Sequence, residues 1–154
     1  MNNSNFSLSK KVISAIEAVV YIAYNSSGEP VRSSEITSRQ GTPQRYLEQT
    51  LQELVKANIL VGVRGPKGGY ILAKERRRIT LGEIVTIINN SEKLEPSMSS
   101  ISSDLCKKVI APVWDDLNLI IMEKLNKVSV EDLCTQANNL NIQRNLNSNL
   151  DFNI

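Results

Sequence analysis

Residues 63–72 read VRGPKGGYIL. Three glycines, a proline and two cations, Arg64 and Lys67, stand between short apolar runs, with Tyr70 directly behind them. A phosphate-cradling loop needs a Gly-x-x-x-x-Gly-Lys-Ser/Thr run that opens a helix. Here Lys67 is followed by Gly68, Gly69 and an extended apolar stretch, with no hydroxyl for magnesium and no helix start. A hairpin fits instead: Val61 to Arg64 is one strand, Gly65 to Gly69 the turn, and Tyr70 to Ala73 the returning strand. Pro66 stiffens the tip by fixing its own φ. Surface cations need no special explanation, so the neighbouring elements decide what Arg64 and Lys67 do.

Upstream, Val12, Ile16, Val19, Val20 and Ala23 make one apolar stripe and predict a helix over 9–24, capped by Ser9. It stops at the breaker cluster NSSGEP, residues 25–30. SSEITSRQ, residues 33–40, predicts a short helix with Ser33 or Ser34 as cap, Glu35 in the first turn and Arg39 in the last. Gly41 ends it. Thr42 as cap and Pro43 at the first helical position begin the next helix, 43–57. There Leu47, Leu51, Leu54 and Val55 form the apolar stripe, while Gln44, Arg45, Glu48, Gln49 and Gln52 fall largely on other faces. A helix, two helices joined by a tight turn, and then a two-stranded wing is the order of a winged helix-turn-helix.

Downstream, KERRR (74–78) is a charged linker. Thr80 and Glu83 have capping-box spacing before Leu81, Ile84, Val85, Ile87 and Ile88, a short amphipathic helix. The serine-rich stretch 89–104 reads as a loop. Residues 105–127 predict the longest helix of the second half, with Pro112 near its start or at a kink and Val113, Trp114, Leu117, Ile120, Ile121 and Leu125 at helical spacing. Ser129 to Gln136 predicts a last short helix, and the asparagine-rich tail from Asn138 reads as disordered. The fold class expected is mainly α with a small β-hairpin wing.

The chain has 154 residues, 41% of them apolar, enough for one core. Its net charge of +2 hides an asymmetry: residues 1–80 carry 12 Lys/Arg against 6 Asp/Glu, and residues 81–154 carry 6 against 10. A basic first half suits a polyanionic partner, and an acidic second half suits another task. MNNSNFSLSKK at the start has no apolar segment after its charges, no run approaches the ~20 residues of a membrane span, and Cys106 and Cys134 are no disulfide framework. A cytoplasmic location and no membrane partner are therefore expected. With no histidine in the chain, Ser–His and Cys–His catalytic pairs are excluded, and an enzyme is not expected.

A recognition helix enters the major groove and reads base edges from its N-terminal side chains. Arg pairs with guanine, Gln with adenine, and Glu accepts from cytosine. TPQRYLEQ, residues 42–49, supplies all three types in the first turns. The wing then lies over the flanking backbone, where Arg64 and Lys67 neutralise phosphates or enter a narrow minor groove. Alone, Gln44, Arg45 and Gln49 would be an ordinary solvated helix face. Joined to the Thr-Pro start and the wing, they favour double-stranded DNA as partner.

The run ITSRQGTPQRYLEQTLQELVKANILVGVRGPKGGYIL, residues 36–72, resembles the DNA-binding segment of the Rrf family of winged helix-turn-helix regulators. That family is typified by the iron–sulfur cluster regulator IscR, the nitric-oxide sensor NsrR and the cysteine-metabolism repressor CymR. Tyr46-Leu47-Glu48-Gln49, the Leu51 to Leu60 segment, Arg64-Gly65 and Gly68-Gly69-Tyr70 carry the match, which extends over roughly residues 8–135. The resemblance implies a homodimeric, sequence-specific transcription regulator on a pseudo-palindromic operator, repressor-type, sensing iron–sulfur, redox or metabolic state. It implies a DNA-binding domain 1–78, a dimerisation and sensing region 79–137 with its long helix at about 110–127, and a tail 138–154. DNA contacts would fall on Thr42, Gln44, Arg45, Tyr46, Glu48 and Gln49 in the helix, and on Arg64, Lys67 and Gly68 in the wing. Tyr46 could instead pack, with its hydroxyl on a phosphate.

Many members of this family hold an iron–sulfur cluster with three closely spaced cysteines before the long helix. This chain has only Cys106 there, with Ser97, Ser99, Ser100, Ser102 and Ser103 in the surrounding loop, and hydroxyls are poor iron ligands. The resemblance alone implies a cofactor, an iron–sulfur cluster, and its ligand cysteines are largely absent. Cys106 has three readings: a small buried residue at a helix start, a thiol switch whose thiolate Lys107 and Lys108 would favour, or a cluster ligand completed by carboxylates or across a dimer. The rival to a cluster-sensing DNA reader is a winged-helix protein-interaction module, or a cluster-free regulator controlled by a small molecule or partner protein.

Overall fold

The computed structural model describes residues 8–92 and 101–145. Six α-helices and one hairpin follow in chain order among these residues: α1 Lys10–Asn25, α2 Ser33–Gln40, α3 Gln44–Lys56, β1 Leu60–Val63, β2 Gly69–Leu72, α4 Leu81–Ser91, α5 Ala111–Asn126 and α6 Val130–Asn139. This is a winged helix-turn-helix followed by a helical second half, as the periodicities predicted.

Local chemistry sets most of the boundaries. Ser9 caps α1, its hydroxyl accepting from the Val12 N–H at 3.3 Å. Gly41 closes α2 at φ 66°, a left-handed conformation that costs glycine little. Thr80 caps α4 by accepting from the Glu83 N–H. The reciprocal half of that box is not used, because the Glu83 carboxylate pairs with Lys74 at 2.6 Å. At α6 both halves of a capping box are present between Ser129 and Asp132.

Three expectations shift. Ser33 and Ser34 are the first residues of α2 rather than its cap; Arg32 holds the cap position without a side-chain cap bond. Pro43, not Thr42, precedes the first residue of α3, and the Thr42 hydroxyl donates to Gln40 Oε1 at 3.2 Å. The Ser33 and Thr42 hydroxyls find side-chain acceptors on neighbouring elements, Glu48 and Gln40, which compete with the capping geometry. The strands start one residue early, with Leu60 paired to Leu72 and Val63 to Gly69.

One core joins the elements. Val12, Val19 and Ile22 of α1 meet Leu47, Leu51 and Leu54 of α3 and Ile84 and Ile88 of α4, all fully buried. The linker 79–81 runs beside the turn between α5 and α6: Leu81 N–H donates to Val128 O and Val130 N–H to Ile79 O. That seam ties the start of α6 to the start of α4. A turn of wider π-helical winding, Cys106–Ile110, precedes α5, with the Ala111 N–H reaching back to Cys106 O. Pro112 explains the widening: it has no N–H, and its ring would clash with the carbonyl four residues earlier.

The expected loop 89–104 falls partly outside the described residues, at 93–100; of the rest, 89–91 complete α4. Of the tail expected from 138, residues 138–139 end α6 and residues 140–145 turn back over α1, while 146–154 lie outside the described residues. There the buried Tyr24 hydroxyl donates to Ile142 O at 2.7 Å, Arg144 lies 4.8 Å from the Tyr24 ring centroid, and Arg39 donates to Asn145 Oδ1 at 2.9 Å.

Candidate nucleic-acid interface

Helix α3 buries Leu47, Thr50, Leu51 and Leu54 and leaves Gln44, Arg45 and Gln49 exposed to solvent. Tyr46 is 37% exposed, and so is available to a phosphate as well as to packing. Thr42 and Glu48 are half-buried. Glu48 is already engaged: Gln44 Nε2 donates to its Oε1 at 2.9 Å, and the Ser33 hydroxyl donates to the same oxygen at 3.3 Å. Two of the expected base readers therefore hold each other in the free protein. Burial, and then the Glu48 carboxylate, keep the Tyr70 phenol above its ordinary 10.0, so it stays protonated at neutral pH.

The helix pair that carries α3 is braced by Gln40 at the end of α2. Its amide donates to Ser14 O at 3.1 Å, and its Oε1 accepts from the buried Ser14 hydroxyl at 2.8 Å. Lys11 of α1 pairs with Glu53 of α3 at 3.0 Å. These bonds span 26 and 42 residues of sequence, and no local pattern announces them.

The wing pairs with more than its own strands. Val31, in the loop before α2, exchanges both backbone bonds with Tyr70, at 2.9 and 2.8 Å. A Cβ on Gly69 would lie 2.4 Å from Val31 O, so only glycine permits this approach. Gly68 is as tightly placed: its Cβ would lie 2.4 Å from Val63 O. That gives Gly68 a role in shaping the tip besides any contact with DNA. Arg64 and Lys67 are exposed on either side of Pro66, with no ion pair to the described residues. Sequence reasoning missed Arg32, whose guanidinium donates to Pro66 O at 2.8 Å across 34 residues.

In the second half, α5 buries none of its residues fully. Met122 and Leu125 rest against the core, while Val113, Leu117 and Ile120 are open, with Ile120 62% exposed. Among the described residues, no helix is long and apolar enough to cross a membrane.

Cys106 and Cys134 are both buried, and neither is in a disulfide among the described residues. Burial pushes the Cys134 thiol above 9.0, while the nearby Arg76 guanidinium, paired with Glu131, pulls the other way. Among the described residues no three Cys, His, Asp or Glu side chains gather as metal ligands. Two cysteines and no histidine in the whole chain cannot supply the four thiolates of an ordinary cluster within one subunit. The donor set does not fit such a group.

A glutamine- and arginine-bearing helix face presented by a braced helix pair, beside a cationic glycine-rich wing, defines a winged helix-turn-helix transcription regulator. The chain belongs to the Rrf2 family, described as Iron-dependent Transcriptional regulator, which it matches over residues 8–136. It is 30% identical over 131 residues to the HTH-type transcriptional regulator IscR of Sodalis glossinidius, covering 83% of this chain and 78% of that one. The structure of T. potens IscR superposes with a TM-score of 0.74 at 29% identity, covering 93% of this chain and 96% of that one. CymR, the global cysteine regulator of B. subtilis, shares the fold at a TM-score of 0.67 and 22% identity, covering 86% and 98%. The family is one of transcription regulators rather than enzymes, and it implies DNA as the partner.

Proposed function

We propose that this protein is a cytoplasmic, homodimeric regulator that reads a pseudo-palindromic operator through α3 and the wing. The observation that carries the reading is the open face of α3, with Gln44, Arg45, Tyr46 and Gln49 exposed beside a wing whose Arg64 and Lys67 are also exposed. Residues 1–78 bind DNA in this reading. Gln44, Arg45, Glu48 and Gln49 meet base edges, Thr42 and Tyr46 meet the backbone, and Gly68 lets the wing approach closely with Arg64 and Lys67 on phosphates. Glu48 takes part by releasing Gln44, or by rejecting bases that cannot donate to it.

Residues 79–137 dimerise in this reading, through the open apolar stripe of α5. Two half-sites on DNA require two-fold symmetry in the protein, and one exposed stripe on a long helix can meet its own copy. The donor set favours a regulator without a cluster held inside one subunit.

The test is enrichment from a random-sequence duplex pool at two salt concentrations. A two-fold symmetric site, bound with affinity that falls steeply in salt, is the expected result. Arg45→Ala should relax preference at one position per half-site, at a cost of ~1–3 kcal/mol. Arg64→Ala with Lys67→Ala should weaken all sequences and flatten the salt slope. Binding without sequence enrichment, or none at all, overturns the proposal in favour of a protein-interaction module.

A further inference from the structure

The wing hairpin has four paired residues on each strand, and a two-stranded hairpin of that size is marginal by itself. The Val31–Tyr70 rung anchors β2 one pair before the ladder ends, since Tyr70 pairs with Gly62. The turn beyond the ladder has no such rung. Beyond the Val63–Gly69 pair, the tip carries one backbone bond of its own, from the Gly68 N–H to Gly65 O at 2.9 Å. Pro66, at the apex, has no N–H to give, and its carbonyl points out of the ladder.

That carbonyl is where Arg32 binds, its Nη2 donating at 2.8 Å. Arg32 stands directly before α2, and its own carbonyl accepts from the Glu35 N–H in the first turn of that helix. The bond therefore ties the apex of the wing to the start of the helix-turn-helix. Arg32 and the tip face each other across an open cleft of about 640 Å³. Among the described residues no carboxylate pairs with Arg32, so no protein anion draws its guanidinium away from the Pro66 carbonyl.

We propose that Arg32 is a positioning residue for the wing: the bond from its guanidinium to Pro66 O sets where Arg64 and Lys67 are held relative to α3. Arg64 and Lys67 lie two residues before and one residue after Pro66, so a swing of the apex moves both charges together. A held wing meets the flanking duplex without first losing the freedom of a loose loop, and pre-organisation of this kind appears as affinity. The proposal rests on the wing being a DNA contact, and it assigns Arg32 no base and no phosphate.

The test is a double-mutant cycle on the full chain, titrated against one enriched duplex. Arg32→Ala should weaken binding about 3- to 10-fold, the net worth of one such hydrogen bond. In a background already carrying Arg64→Ala and Lys67→Ala, the same change should cost nothing, because Arg32 then has no charges to place. Arg32→Lys, which keeps a donor, should recover part of the loss. An equal loss in both backgrounds would mean that Arg32 touches DNA itself, and no loss in either would mean that the tether is idle; each overturns the proposal. Amide relaxation of the free protein gives a reading that does not need DNA. Arg32→Ala should raise the mobility of Gly65, Lys67 and Gly68 and leave Tyr70 unchanged. If the wild type binds no duplex, the proposed function fails, while unchanged mobility at the tip fails the tether.

Discussion

Ile120→Lys is the sharpest test of the apolar face of α5. Val109 and Ile110 of the turn before α5 continue that face, and with Val113, Trp114, Leu117 and Ile120 they remain between 41% and 62% exposed in the protomer. Their open surface amounts to roughly three whole side chains per protomer, or about six in a symmetric pair. At ~2 kcal/mol per buried side chain, that face is worth ~12 kcal/mol gross. The cost of association is ~4–15 kcal/mol, so this face holds a dimer where that cost falls below ~12 kcal/mol, and then a breakable one. Ile120 alone, 62% open, supplies ~1.2 kcal/mol per protomer, or ~2.5 per pair. An ammonium group in its place adds a desolvation cost. The dimer dissociation constant should rise at least ~100-fold, at 1.4 kcal/mol per tenfold. Sedimentation velocity across a concentration series measures this directly. The thermal melt at low concentration should hardly change, because Ile120 lies outside the protomer core. Binding to a two-fold symmetric duplex should fall with dimerisation and recover partly at high protein concentration. A variant as dimeric as the wild type would refute the assignment of this face, whatever its effect on DNA.

Three further outcomes follow from the same geometry. Gly69→Ala forces a Cβ to within 2.4 Å of Val31 O, so it should cost ~1–3 kcal/mol of stability in a denaturant titration and weaken DNA binding by displacing the wing. Tyr24→Phe removes the bond to Ile142 O and should cost ~1 kcal/mol, seen as a melting temperature lower by about 2–4 °C. Asp132 is held below its ordinary 3.8, first by the Ser129 backbone N–H and then by the Ser129 hydroxyl. Its carboxylate therefore stabilises the fold fully above 3.8 and loses that contribution as pH falls through its lowered folded value. The stability gap between wild type and Asp132→Asn should shrink over that acid range in melts run as a pH series.

Sequence alone determined the parts governed by neighbours in the chain. Ser9, Thr80 and Ser129 cap their helices because an N-terminal hydroxyl needs only the next turn to bond to. Gly41 and the Gly-Pro turn shape their connections through φ angles that few other residues adopt. The apolar spacing of α3 and the cations of the wing were enough to order the elements, and the resemblance of residues 36–72 to the Rrf family then named the candidate DNA-facing residues. Tertiary structure alone decided which apolar stripe found a partner. Leu47, Leu51 and Leu54 have the same helical spacing as Val113, Leu117 and Ile120, yet the first set is buried and the second is open. Periodicity states that a stripe exists, not what covers it. It also decided the contacts made across long stretches of chain: Gln40 on Ser14, Val31 on Tyr70, Ile142 on Tyr24 and Arg32 on Pro66. Their donors and acceptors become neighbours only once the core has closed, because a hydrogen bond is decided by distance in space and carries no trace in the spacing of residues.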